Sequence, residues 1–486
     1  MTIIDISHLT FSYEGSYVNI FDDVNLHLDT DWKIGLIGRN GRGKTSLLKI
    51  LQGENEYKGS ISTSVTFDYF PYDVPDKRKT TLEIIESIYP EFEEWELNRE
   101  LNLLAVSDDV LTRPFETLSH GEQTKILLAT LFLKPENFLL IDEPTDHLDV
   151  DARKVVSHYL KNKKGFIVIS HDQQFLDNTI DHVLSINRAN IELVKGNFTS
   201  WWKNKELNDQ MEIEQNERLR GEIKRLTEAS KRTSEWSDKV EKTKNGSVDR
   251  GFISHKATKM MKRSKSIEAR AAKSIDDKKQ LLKNIDENKK LILRPLSHHK
   301  QSLIHATDLS ILFDHIKITE NIHFTVNQGD RVALMGKNGS GKSSIIKLIL
   351  GKKIPFLGEL YIANGLKISY LPQDSSFLNG NIIDFIQLSG IDESLFKTTL
   401  NQLGFSKVDY DRALSELSSG QKKKILMAKS LCEEAHLYIW DEPLNFIDIL
   451  SRKQIEELIL RVKPTMLFVE HDVTFTEKIA TSRIVL

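Results

Sequence analysis

The octet GRNGRGKT at residues 38–45 returns about 300 residues later as GKNGSGKS at 336–343. Each copy fits G-x-x-x-x-G-K-[S/T] and follows a β-like run, WKIGLI before the first and RVALM before the second. A glycine-rich turn lets backbone N–H groups close around phosphate oxygens. The Lys then reaches the outer phosphates and the Ser or Thr hydroxyl takes Mg²⁺. Two loops in the right local setting predict a chain that binds two nucleotides.

The repeat extends well beyond the loops. LTFSY (9–13) is answered by LSILF (309–313), LSHGEQ (118–123) by LSSGQK (417–422), FLLIDEPTDHLD (138–149) by LYIWDEPLNFID (437–448), and SHD (170–172) by EHD (470–472). A repeat of this length means two whole domains rather than a solenoid. Within each half, β-like runs alternate with helical stretches: KIGLIG then TSLLKILQ, FLLID then ARKVVSHYLK, GFIVIS then QQFLDNTI. That order predicts an α/β fold around a mainly parallel sheet, with ligand loops at the carboxyl ends of the strands. The domains are expected at 1–198 and 300–486.

The stretch 199–299 differs in kind. Residues 201–242 contain no Pro, and a thin apolar series runs Leu219, Ile223, Leu226, Trp236, Val240; a second runs Ile267, Ala271, Ile275, Leu282, Ile285. Spacings of three and four place each series on one helix face. With Gly246 and Gly251 in a turn between them, the pattern predicts an antiparallel helical hairpin, each arm roughly 35–40 residues and about 50–60 Å long.

Charge follows the same division. The net charge of −3 hides 26 Lys+Arg against 16 Asp+Glu in residues 201–300, with 41 against 54 elsewhere. Segregation of this kind points to an anionic partner that meets the middle of the chain. No stretch approaches the length of a membrane span, and the acidic start MTIIDISHLTF does not read as a signal peptide. A single cysteine, Cys432, excludes a disulfide framework and fits a small buried side chain in a reducing, cytoplasmic setting.

At the end of each FLLID-like strand stand Asp142-Glu143 and Asp441-Glu442. The Asp suits Mg²⁺, which prefers hard oxygen ligands, and the Glu is placed to polarise an attacking water. Ser119 and Ser418, with Gly121, Glu122, Gly420 and Gln421, start helices whose N-termini suit an anion.

This ordered set of motifs resembles the ATP-binding cassette proteins of the ABC-F class: two ABC-type P-loop ATPase domains in tandem, joined by a long antiparallel α-helical hairpin, with no membrane domain. The resemblance implies two ATP sites, each with Mg²⁺, formed as the cassettes of one monomeric chain pair intramolecularly. The first loop would contribute Gly38, Asn40, Gly41, Gly43, Lys44, Thr45 and Ser46, and the second Gly336, Asn338, Gly339, Gly341, Lys342, Ser343 and Ser344. Each loop would be completed by the other cassette's signature residues. Tyr13 and Phe313 are the implied adenine-stacking aromatics. His171 and His471 are the implied γ-phosphate switch residues, and Thr45, Asp142, Ser343, Gln373 and Asp441 the implied Mg²⁺ ligands.

The chain also departs from the pattern. Tyr72 stands where the first Q-loop glutamine belongs, opposite Gln373 in YLPQ; His120 and Ser419 replace signature glycines. The D-loops read DHLD (146–149) and NFID (445–448). Unequal sites are therefore expected, with the first slower.

Within ABC-F, the 75 residues from Lys44 to Ser119 and 76 from Lys342 to Ser418 leave no room for an arm insertion, and the chain ends at Leu486. EWS (235–237), KMMKRSK (259–265) and IEARA (267–271) make the linker similar to the Lsa/Vga-like resistance proteins. That likeness implies binding at the ribosomal exit-tRNA site, beside 50S proteins, with the hairpin reaching P-site tRNA and rRNA near the peptidyl-transferase centre. The implied outcome is protection against lincosamides, pleuromutilins and streptogramin A. Residues 231–273 carry 13 basic and 5 acidic side chains, and Lys256, Lys259, Lys262, Arg263 and Lys265 bunch where RNA phosphates would be neutralised. Phe252 and Ile253 in the turn stand open to a base contact or to packing on the hairpin. A housekeeping translation factor is the alternative reading, and the ATPase subunit of a membrane transporter is one of another class. DNA and membrane are not expected partners.

Overall fold

The computed structural model describes residues 2–13, 19–135, 137–146, 148–187, 191–242, 291–313, 316–319, 321–337, 339–405, 407–445, 447–470 and 472–486. Its alternating runs form two central sheets. In the first half the strand order is Thr66–Phe70, Asn137–Asp142, Phe166–Ile169, Lys33–Gly38, His182–Ile186, Ile191–Lys195. Five of these pair in parallel and the last closes an antiparallel hairpin. The second half repeats the order with Ile368–Leu371, Leu437–Asp441, Met466–Val469, Arg331–Met335 and Ser482–Val485, all parallel. The inner strands are apolar without alternation because both faces are covered, as Phe166–Ile169 and Met466–Val469 show by full burial. The loop-bearing strand lies two places from the Asp-Glu strand, so three segments end side by side where the connection reverses direction.

Each half also carries an antiparallel sheet beyond the expected parallel one. It comprises Phe21–Asp29, Ile3–Phe11 and Lys58–Ser62 in the first half. In the second, Ser302–Phe313 pairs with Ile316–Lys317, Ile322–Asn327 and Phe356–Ile362. The duplication reaches the backbone: His8 and Asp308 both sit in the left-handed region, at φ 55° and 51°. The facing strand must be glycine there, because a Cβ on Gly59 would lie 2.5 Å from the His8 carbonyl oxygen and one on Gly358 2.3 Å from that of Asp308.

The helices Lys44–Gln52 and Lys342–Ile349 follow the two loops and bury one apolar face. In the first, Leu47, Leu48, Ile50 and Leu51 enter a core with Ile34, Leu36 and Leu140, each side chain contributing about 1.5–3 kcal/mol. Such anchoring fixes the loop ahead of each helix.

Two compact units divide the chain: residues 1–199 with 290–486, and residues 200–289. The first therefore contains both nucleotide-loop halves. The stretch just before 300, assigned to the linker on sequence, packs with the second half. Leu291 and Leu293 are buried in its core, Leu296 N–H donates to Ala435 O at 2.8 Å, and Arg461 donates to Leu291 O at 2.7 Å. Two leucines at alternate positions gain more from that core than from a solvated linker. Phe198–Lys242 is one 45-residue helix, about 68 Å long, with Leu219 and Ile223 half-buried. It covers the stretch expected as the first arm. The turn with Gly246, Gly251, Phe252 and Ile253, the returning arm, and Lys256, Lys259, Lys262, Arg263 and Lys265 lie outside the described residues. Among the described residues no helix is long and apolar enough to cross a membrane. Cys432 is half-buried rather than fully buried, and burial pushes its thiol up.

Candidate functional site

Both glycine-rich loops turn into their helices through a left-handed residue, Gly43 at φ 93° and Gly341 at φ 90°. A Cβ on Gly43 would meet Ile20 at 2.5 Å and Phe21 at 2.9 Å, so only glycine allows the loop to close there. Gly41 and Gly339, also at positive φ, face open space. Lys44 Nζ donates to Gly38 O at 2.8 Å and Asn40 Oδ1 at 3.1 Å; Lys342 Nζ donates to Gly336 O at 2.9 Å and Lys337 O at 2.8 Å. Burial lowers the pKa of both ammonium groups. It is opposed at Lys44 by Asp448, Glu143 and Asp142, and at Lys342 by Glu442 and Asp441. A phosphate would compensate for the hydration that burial removes.

Thr45 Oγ1 donates to Asp142 Oδ2 at 3.0 Å, and Tyr69 OH donates to the same oxygen at 3.0 Å. In the second half Ser343 hydrogen-bonds to Asp441. Burial and the adjacent glutamate raise the pKa of both aspartates. Asp441 Oδ1 and Glu143 Oε2 are buried and have no hydrogen-bond partner. Unpartnered hard oxygens beside an open glycine loop fit a divalent cation carried with a phosphate chain. Tyr13, half exposed, shares a 2.7 Å hydrogen bond with Ser46 and stands edge-on to Phe11 at 5.1 Å, beside the first loop helix. Ser344 lies in the first turn of the second loop helix.

The two glutamates sit in matching strained backbone, Glu143 at φ 49° and Glu442 at φ 48°. Each N–H is held by the neighbouring strand, at Ile169 O and Val469 O, both 3.0 Å. Their carboxylates are held differently. Glu143 Oε1 pairs with His171 Nε2 at 3.0 Å. Burial would raise its pKa, but His171, Lys44 and Arg452 outweigh that and hold it below the usual range. Glu442 Oε2 accepts from Gln373 Nε2 at 2.9 Å and from Asn445 Nδ2 at 2.6 Å. Tyr72, in the position of Gln373, is 36% exposed.

Contacts between the halves gather at the first loop. Asn40 N–H points to Asp448 Oδ2 at 3.5 Å, and Arg39 donates to Gln402 O at 3.1 Å. Asp448 also accepts from Lys424 Nζ at 3.2 Å, and both side chains are almost wholly buried. Burial pushes the Asp448 carboxyl up, but Lys424 and Lys44 more than reverse this and hold it well below the carboxylate range. The corresponding Asp149 is exposed and caps its own helix through Ala152 N–H at 2.8 Å. Arg153–Asp172 and Arg452–Asp472 repeat one ion pair in the two halves, at 3.2 and 3.7 Å. Asp472 is raised by burial; Arg452 opposes this and Asp172 of the other half adds to it.

Ser119 and Ser418 each complete a capping box. The Ser119 N–H donates to the Glu122 carboxylate at 2.8 Å, and the Ser119 hydroxyl accepts from the Glu122 N–H at 3.3 Å; Ser418 and Gln421 do the same at 2.9 and 3.3 Å. Gly121 and Gly420 lie in the first turns of these helices. Asn338 and His471 lie outside the described residues, as do His147 and Phe446 of the D-loops, and the Phe313 side chain is not described.

The sequence reading passed over Lys423, Lys424, Gln402 and the amide of Asn445. Aligning the halves supplies a signal for one of them: Lys423 and Glu470, opposite in charge, stand where the first half has the neutral Thr124 and Ser170.

Comparison with known proteins follows the same division into halves. The ABC transporter family model matches residues 21–146 and 319–445. The chain is 26% identical to the ribosome protection protein VmlR of Bacillus subtilis strain 168, over 98% of this chain and 85% of that protein. It is 25% identical to the putative ATP-binding protein YdiF of the same organism, over 99% and 79%. It is 27% identical to the ATP-binding protein Uup of Buchnera aphidicola subsp. Acyrthosiphon pisum, over 99% and 80%. Among solved structures, the complex of archaeal ribosomal stalk protein aP1 and ribosome recycling factor aABCE1 aligns with a TM-score of 0.63 at 18% identity, covering 98% of this chain and 87% of that one. At that identity the likeness carries the fold alone.

Proposed function

We propose that this chain, which belongs to the ABC transporter family and, with its tandem cassettes and its likeness to Uup, VmlR and YdiF over nearly its whole length, to the ABC-F proteins, is an ATPase that acts on the ribosome. Its cassettes hydrolyse ATP. The reading assigns two ATP sites, one on each loop, and a basic interdomain hairpin that meets rRNA and P-site tRNA near the exit-tRNA site. Protection from lincosamide, pleuromutilin or streptogramin A antibiotics is the proposed outcome.

One observation carries this reading. The basic excess is confined to residues 201–300 of a chain that is otherwise acidic, and a long helix leads into that stretch. Lys and Arg side chains that neutralise phosphates give sequence-independent RNA affinity. The likeness to VmlR over nearly the whole chain supports the same direction.

At each site the backbone N–H groups of the loop and Lys44 or Lys342 bind the phosphates. Thr45 with Asp142, and Ser343 with Asp441, would hold Mg²⁺, which supplies charge neutralisation of the phosphate oxygens. Glu143, oriented by His171, and Glu442, oriented by Gln373 and Asn445, accept a hydrogen bond from the attacking water. The boundaries 1–198 and 300–486 for the cassettes belong to the same proposal, with the Leu291–Leu293 stretch added to the second.

The Glu143→Gln/Glu442→Gln double variant, incubated with ribosomes and ATP, is expected to co-sediment with them. Wild-type protein is expected to restore drug-inhibited translation. Absence of ATP-dependent co-sedimentation would overturn the ribosome reading. Co-sedimentation without drug rescue would favour a housekeeping translation factor.

A further inference from the structure

The helix Ser419–Cys432 buries a lysine that the nucleotide chemistry described above does not use. Lys423 is 2% exposed, and its Nζ donates to Pro372 O at 2.8 Å, Asp441 O at 3.2 Å and Gln373 O at 3.4 Å. One ammonium group thus fastens two segments: the Q-loop carrying Gln373 and the strand end carrying Asp441 and Glu442. Three donors directed at three carbonyl oxygens define a fixed geometry, which a hydroxyl or an aliphatic side chain cannot reproduce. The side chain amide of Gln373 in turn holds Glu442 at 2.9 Å.

The first half is built differently at each equivalent position. Thr124 replaces Lys423, Thr145 replaces Leu444 and Ser170 replaces Glu470. There the Thr145 and Ser170 hydroxyls pair at 2.9 Å. In the second half the buried Glu470 accepts the Leu444 N–H at 2.8 Å and faces the Lys423 charge. The second half thus holds a buried lysine, a buried glutamate and a Q-loop glutamine, where the first half has Thr124, Ser170 and Tyr72. A neutral arrangement therefore fits the same fold in the first half.

We propose that Lys423 is a positioning residue of the second nucleotide site, fixing the Q-loop to the Asp441-Glu442 strand end so that Gln373 orients Glu442. Glu470 balances its charge. The inference concerns ATP hydrolysis and stands apart from the ribosome reading.

The test uses the full chain carrying Glu143→Gln, so that hydrolysis reports the second site. Lys423→Met is expected to lower kcat about tenfold to a hundredfold through misplacement of the Glu442 region. The Mg²⁺ concentration for half-maximal rate is expected to rise. Binding of a fluorescent ATP analogue in EDTA, which reads the loop without the metal, is expected to change less than about twofold, below about 0.4 kcal/mol. A second variant, Lys423→Thr/Glu470→Ser, installs the first half's neutral pair; it is expected to regain the thermal midpoint lost in Lys423→Met while kcat stays low. The proposal is overturned if Lys423→Met keeps wild-type kcat and Mg²⁺ dependence, or if the double variant recovers rate together with stability. Failure of both variants to fold would overturn it equally, since Lys423 would then be a determinant of the fold.

Discussion

Replacing Asp448 with Asn removes one negative charge while leaving an oxygen to cap the helix Ile449–Val462 through Ser451 N–H, a 2.9 Å contact. What it strands is Lys424, whose side chain is 3% exposed beside a fully buried Asp448. Removing one member of a buried ion pair costs about 3–5 kcal/mol, because the remaining charge stays desolvated. For a cassette of this size the midpoint falls about 2–4 °C per kcal/mol, or about 6–20 °C here. Lys424→Met is expected to cost less, since Lys44 still faces Asp448. The double variant Lys424→Met/Asp448→Asn is expected to recover most of the loss, which requires a coupling energy of at least about 3 kcal/mol. Asp149→Asn provides the internal control. Its carboxylate is exposed, and the change should stay within about 0.5 kcal/mol. Differential scanning calorimetry of the four variants reads these values. The sign of the pH dependence follows from the depressed carboxyl of Asp448. Its stabilisation is fully present above the unfolded aspartate value of about 3.9 and is lost as pH falls below it. The gap between wild type and Asp448→Asn should therefore be constant from neutrality to about pH 5 and shrink in stronger acid. If Asp448→Asn costs no more than Asp149→Asn, the reasoning from burial is wrong.

Three further outcomes are expected. Steady-state ATPase should fall more in Glu442→Gln than in Glu143→Gln, because the second carboxylate has the Gln373 and Asn445 amides while the first cassette has Tyr72 in the Q-loop position; equal residual rates would remove the inequality of the sites. Tyr72→Gln, measured in a Glu442→Gln background, should raise the residual rate about tenfold if the missing amide limits the first site, and an unchanged rate would acquit Tyr72. Chelation of Mg²⁺ should abolish hydrolysis while leaving part of the nucleotide binding, since Lys44 and the loop N–H groups act without the metal; undiminished hydrolysis in EDTA would rule out a metal role for Asp142 and Asp441.

Much of the fold was legible because its signals are local. The loops need glycine at Gly43 and Gly341 for backbone reasons that hold wherever the chain goes, and uninterrupted apolar runs such as Phe166–Ile169 mark strands covered on both faces. The antiparallel sheets were not read, since Ile3–Phe11 and Ser302–Phe313 owe their pairing to partners distant in sequence. The second core takes in residues ahead of the expected start at 300, because Leu291 and Leu293 look ordinary until that core is there to receive them.

By itself, the sequence determined two glycine-rich loops, two Asp-Glu strand ends and a basic middle, because each is written in contiguous residues whose chemistry does not depend on their neighbours in space. Only the tertiary structure decided how unequal the two halves are. Asp448 and Asp149 occupy equivalent motif positions, yet one is buried on Lys424 beside the opposite loop and the other faces solvent. Glu143 leans on His171, whereas Glu442 is gripped by two amides, one of them within reach of the buried Lys423 through its own backbone. These differences arise from desolvation and from distances between segments remote in the chain, and a motif carries neither.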